Sequence, residues 1–103
     1  MAELTTKEIS AQNTFTDPVM VHAGYFSLSI SGLSDSTVTV QKSYDIDDED
    51  AVSNWVDVDT FTADAEEVGF EPENRVYRVG IKTGDYGSDT VTIRLGKADR
   101  LKN

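Results

Sequence analysis

The chain has 103 residues, 38% of them apolar, which is enough for one small domain and leaves no room for a second core. Nineteen acidic residues against nine Lys and Arg give a formal charge of −10, the wrong sign for a nucleic-acid partner. The lack of cysteine excludes disulfides, thiolate nucleophiles and Cys-ligated zinc, and a single histidine, His22, leaves little room for imidazole chemistry.

Residues 1–10 carry Glu3, Lys7 and Glu8 where a secretory signal would be apolar, and no run is long enough to span a bilayer. The expectation is a protein kept in the compartment where it is made, with no membrane partner. Leu4-Thr5-Thr6-Lys7-Glu8-Ile9 is too polar for a core element but holds apolar anchors in Leu4 and Ile9. It reads as an extended arm, with a helix started at Thr5 or Thr6 and ended by Ser10 to Asn13 as the alternative. The arm is placed at residues 1–17, and removal of residues 1–12 is expected to abolish attachment without unfolding the sandwich.

From there on the residues favour strands. Valine and threonine occur eleven times each, and β-branched and aromatic side chains suit a pleated surface. Thr14 to Thr16 reads as a short edge strand, and Val19 to Ala23, after Pro18, as another strand. Tyr25 to Ser31 alternates cleanly: Phe26, Leu28 and Ile30 share one side, and Tyr25, Ser27, Ser29 and Ser31 the other. Gly32 to Ser36 has the length of a hairpin loop and leads to Val38 and Val40 within Thr37 to Gln41. Trp55 to Thr62 is apolar at 55, 56, 58 and 61, a broken period that a bulge near Thr60 would explain. Val76 to Lys82 alternates through Tyr77, Val79 and Ile81. A second turn, Thr83 to Ser88, leads to Val91, Ile93 and Leu95 within Asp89 to Leu95. These seven segments predict an all-β, antiparallel β-sandwich, Ig-like or jelly-roll, over residues 18–97. Both turns are expected to close hairpins, and residues 98–103 to form a basic tail.

The charge is unevenly spread. Residues 45–73 hold twelve carboxylates and no Lys or Arg, while Arg94, Lys97, Arg100 and Lys102 crowd the end. The run Asp45, Asp47, Asp48, Glu49 and Asp50 offers oxygens to a hard cation. An EF-hand count from Asp45, however, puts Asp50 where glycine should turn the loop and Val56 where the bidentate Glu should be. The run reads instead as a solvated connection, with no metal assigned. Nothing selects two facing carboxylates for glycoside hydrolysis, and His22 lies in an apolar stretch without a matched serine elbow. Gly80, Gly84 and Gly87 fit no phosphate-loop spacing. No catalytic residue and no cofactor is assigned.

Trp55, Tyr25, Tyr44, Tyr77 and Tyr86 could form a sugar-binding platform. A lone tryptophan in a small sandwich more often fills the core, leaving Tyr25 and Tyr86 as the rings expected at the surface. The two polar ends suit an assembly protein whose arms cross neighbouring subunits. Leu4, Thr5, Thr6, Lys7 and Ile9 would supply contacts at one end, and Arg94, Lys97, Arg100 and Leu101 at the other.

The succession G-Y-F-S-L-S-I-S-G, T-V-T-V-Q-K-S-Y-D, W-V-D-V-D-T-F-T-A-D-A-E-E-V-G-F-E-P, Y-R-V-G-I-K-T-G-D-Y and T-V-T-I-R-L, from about Gly24 to Lys97, resembles small virion accessory proteins of tailed bacteriophages. An acidic insertion at Asp45 to Ser53 stands where those proteins have a short Asp-Gly turn before the tryptophan. The resemblance implies a non-enzymatic capsid decoration or cement protein. It would be made in the host cytoplasm, work as a homotrimer, and bind the major capsid protein on the outer shell. A carbohydrate-binding or adhesion module of a tail or fibre, or a neck or tail-ring component, is the alternative.

Overall fold

A computed structural model describes residues 4–45 and 53–97. They form β1 (Leu4–Ile9), β2 (Thr14–Phe15), β3 (Val19–Ser31), β4 (Val38–Asp45), β5 (Ser53–Phe61), β6 (Ala65–Ile81) and β7 (Val91–Lys97), with no helix among the described residues. The chain is all-β and antiparallel, as its composition predicts. All seven strands join one sheet in the order β1-β7-β3-β6-β4-β5, with β2 added to β6.

The two long central strands explain how one sheet encloses a core. Residues 24–30 of β3 pair with 65–71 of β6, and residues 19–22 with 74–77. Between these stretches Ala23, at φ 41°, stands against both Pro72 and Glu73. The surplus residue on β6 bends the pair, and proline is tolerated there because the ladder is already interrupted. The bend also switches the inward parity of β3 from Val19 and Val21 to Phe26, Leu28 and Ile30. All five therefore reach one cluster. Leu28, Ile93 and Leu95 enter that cluster from one half of the sheet, and Val38, Val40, Val79 and Ile81 from the other. The sheet must fold over on itself to bury both sets. Phe26 and Tyr77 join the halves with ring centroids 4.5 Å apart.

The expected hairpins are corrected. β3 pairs with β6 and β7 but not β4, and β7 pairs with β1 and β3 but not β6. Neither predicted hairpin forms; among the described residues only β4 and β5 pair as consecutive strands. Residues 32–37 and 82–90 are instead arches, each jumping one strand. Loops of six and nine residues can reverse a chain or carry it across, and here side chains choose. Asp89 accepts hydrogen bonds from the backbone N–H groups of Ser34 at 2.6 Å and Asp35 at 3.0 Å, and from the Ser36 hydroxyl. Asp35 reciprocates, accepting from the Ser88 N–H at 2.9 Å and its hydroxyl at 2.7 Å. Gly87 is confined by this clasp, since a Cβ there would come within 2.5 Å of the Asp35 carboxylate.

Other boundaries move as well. Residues 4–9 are not an arm but a full edge strand, paired from Leu4↔Gly96 to Ile9↔Val91, with Ile9 wholly buried. The segments expected at 19–23 and 25–31 are one strand. β6 begins at Ala65, eleven residues before the expected start at Val76. The irregularity of β5 lies at Val58, opposite the Val40/Gln41 step, rather than at Thr60.

Candidate functional site

The half-sheet β1-β7-β3-β6 presents its outward side to solvent. Register places Leu4, Gly96, Ser27 and Val68 in one row, and Thr6, Arg94, Ser29 and Glu66 in the next. Tyr25 lies opposite Phe70 on the same side, with ring centroids 5.0 Å apart and planes inclined at 57°. The alternation that sends Phe26, Leu28 and Ile30 inward sends this set outward. Its large apolar members are strongly exposed: Leu4 62%, Tyr25 50%, Val68 67% and Phe70 60%. Between them lie small residues, and the Ser29 hydroxyl donates to Glu66 Oε2 at 2.6 Å. The face is apolar at its rims and carries Ser27, Ser29, Arg94 and Glu66 between them, around a depression of about 280 Å³.

Beside the outer edge of β6 opens a groove of about 330 Å³, lined by Leu28, Val40, Val58, Phe61, Val68 and Phe70 among others. Residues 65–71 of β6 pair on one side only, with β3, so among the described residues this edge is open. Gly69 is required here because the Phe26 ring lies over it, and a Cβ would stand 2.5 Å from the ring. At the bend Glu71, 3% exposed, accepts hydrogen bonds from the Tyr77 hydroxyl at 2.7 Å and from Lys42 Nζ and the Glu73 N–H, both at 3.2 Å. Burial alone would raise the Glu71 pKa. These three donors outweigh it and hold the carboxyl below its ordinary value.

The opposite face carries a different arrangement. The Arg78 guanidinium lies 4.1 Å from the Phe15 ring centre and 4.4 Å from that of Trp55. Its Nε donates to Gln41 at 2.8 Å, and Gln41 Nε2 donates to Asp57 at 2.8 Å. Lys82 Nζ also donates to Asp57, at 2.7 Å, which lowers the Asp57 pKa and raises that of Lys82. Burial draws the Arg78 pKa down from its ordinary value. Trp55 is therefore half-buried on the outside, stacked on a cation, and not in the core. Tyr25 is exposed as expected, whereas Tyr86 is half-buried against the core.

The proposed contact residues distribute unevenly. Leu4 and Thr6 stand on the outward side, while Thr5, Lys7 and Ile9 take the inward register, with Ile9 in the core. Arg94 stands exposed between Thr6 and Ser29. Lys97 is placed by its backbone pairing with Phe26. Asp45 closes β4, and Asp47, Asp48, Glu49, Asp50, Arg100 and Leu101 lie outside the described residues. His22 is exposed on β3. No group of three potential metal-ligating side chains converges among the described residues. Val68 and Phe70 were not singled out from sequence. Their period-two spacing around Gly69 is the signal that places them on a strand.

Comparison with family models, curated proteins and solved structures finds no match to this chain.

Proposed function

We propose that this chain is a structural, non-enzymatic assembly protein of the capsid decoration kind its sequence resembles, attaching in many copies to the outer shell of a tailed phage. The observation that carries this reading is the outward side of β1-β7-β3-β6, where Leu4, Tyr25, Val68 and Phe70 stay in water around Ser27, Ser29 and Gly96. Large apolar side chains gathered in water on one sheet face mark an interaction site, because they are costly to leave solvated. An open sheet face of this extent suits a broad partner surface rather than an enclosed small molecule. Weak contacts suffice when a shell offers many equivalent positions, and a homotrimer, the state the resemblance implies, multiplies them again. The net charge of −10 would keep decorated particles apart.

The test is sedimentation of the purified protein with purified heads that lack it, followed by counting of bound copies. Saturation at the shell's repeated positions supports decoration, and absence of co-sedimentation overturns it. A specific glycan ligand lost on Phe70→Ala would favour the adhesion module instead.

A further inference from the structure

We propose that copies of this chain join head to tail through the two edges of the outward half-sheet, β1 of one copy adding to residues 65–71 of β6 in the next. This rests on the assembly reading above and adds the surface through which copies meet.

Strand direction permits the joint. The half-sheet has four strands, β1, β7, β3 and β6, each antiparallel to the next, so its first and last strands also run in opposite directions. A second copy placed alongside by translation therefore presents β1 antiparallel to β6. Inward and outward faces then match, and the alternation of wide and narrow pairs continues across the joint. Each edge lacks a partner among the described residues.

Side chains select this pairing over the symmetric ones. An inward-pointing charge on an edge strand ordinarily deters pairing with other chains. Here the two edges carry opposite charges in that position: Lys7 on the inward side of β1 and Glu67 on the inward side of β6. Two β1 edges would bring only lysines together on the inward side, and two β6 edges only glutamates, in a stretch, residues 64–73, that holds no cation. The unlike pairing alone brings Lys7 within diagonal reach of Glu67. On the outward side it sets Leu4 against Val68, with Phe70 diagonal to them, covering three of the most exposed apolar side chains. Thr6 then meets Glu66. A shift of two residues would set Lys7 directly against Glu67 and Leu4 against Phe70 but also Glu8 against Glu66, so the unshifted register avoids a like-charge pair while keeping Lys7 diagonal to Glu67. The incoming β1 also covers the mouth of the groove beside β6.

Velocity sedimentation of the full chain and of two single variants, Leu4→Glu and Val68→Glu, tests this. Both positions are exposed, so circular dichroism should show both variants folded. The expected result is association of the native chain and monomers for each variant alone, with self-association weakened at least about tenfold. A mixture of the two variants should form a 1:1 dimer, since one intact β1 edge then meets one intact β6 edge. A native chain that stays monomeric overturns the proposal. So do single variants that still associate, or a mixture that stays monomeric, which is the behaviour of a symmetric contact. Head binding is read on the native chain, because Leu4 and Val68 also belong to the face proposed to meet the shell: a monomeric native chain that binds heads would remove the joint and leave the decoration reading standing. Association of the native chain without head binding would remove that reading and leave the joint.

Discussion

Asp89 Oδ2 lies 2.6 Å from the backbone nitrogen of Ser34, and that contact ties the arch from β6 to β7 onto the arch from β3 to β4. The two residues are 55 positions apart, yet their bond decides which strands become neighbours. With the Asp35 N–H and the Ser36 hydroxyl it makes one buried carboxylate the organiser of both crossings. Asp89→Ala would leave these donors buried without an acceptor. We expect a loss of about 2–4 kcal/mol, read from the urea midpoint at unchanged slope.

The same carboxylate makes stability depend on acid. Burial alone would raise the Asp89 pKa, but the hydrogen bonds from residues 34–36 outweigh it and hold the carboxyl far below the usual range. Glu71 is lowered too. A folded pKa below the unfolded one stabilises fully above the unfolded value, about 4 for a carboxyl, and that stabilisation is lost as pH falls through the folded value. Thermal midpoints should therefore be flat near neutrality and decline below about pH 4.5. Asp89→Asn should flatten that acid limb. An unchanged limb in this variant would assign the acid response elsewhere.

The strands were legible where one face is dry, and the topology was not. Phe26, Leu28 and Ile30 announce β3 because burial on one side leaves a period of two in the sequence. The first half of β6 gives a weaker signal in the reversed sense, since Val68 and Phe70 alternate on the outward side beside Glu66 while the inward side carries Glu67, Gly69 and Glu71. Trp55 misled because an arginine supplied the contact that a core would otherwise give. The arches at 32–37 and 82–90 could not be told from hairpins because their lengths fit either. What separates the two is the pairing of Asp35 with Ser88 and Asp89 with Ser34, a long-range relation that no local pattern encodes. The outward-facing set failed to stand out for a related reason. Leu4, Tyr25, Val68 and Phe70 are distant in the chain and meet only through register.

The N-terminal segment gives a direct check of the revised fold. A dispensable arm could be cut away without effect. Ile9, however, is wholly buried beside Val91, and six residues of β1 are paired with β7. Ile9→Ala should cost about 2–4 kcal/mol by loss of burial and the cavity left behind. Deletion of residues 1–9 should lower the thermal midpoint further, by exposing β7 as a new edge. Native-like melting of the truncated chain would restore the arm.

The outward face predicts the opposite separation of stability from binding. Val68 and Phe70 are 67% and 60% exposed, so exchanging both for serine removes little buried area. The change in unfolding free energy should stay within about 1 kcal/mol, with the Tyr25 ring contact the main loss. Occupancy on purified heads should nevertheless drop sharply, because the patch that would become buried on attachment has turned polar. A matched control on the other face, Thr60→Ser, should leave both quantities near native values. If the serine pair binds heads as the native chain does, the shell-binding surface lies away from the β1-β7-β3-β6 face.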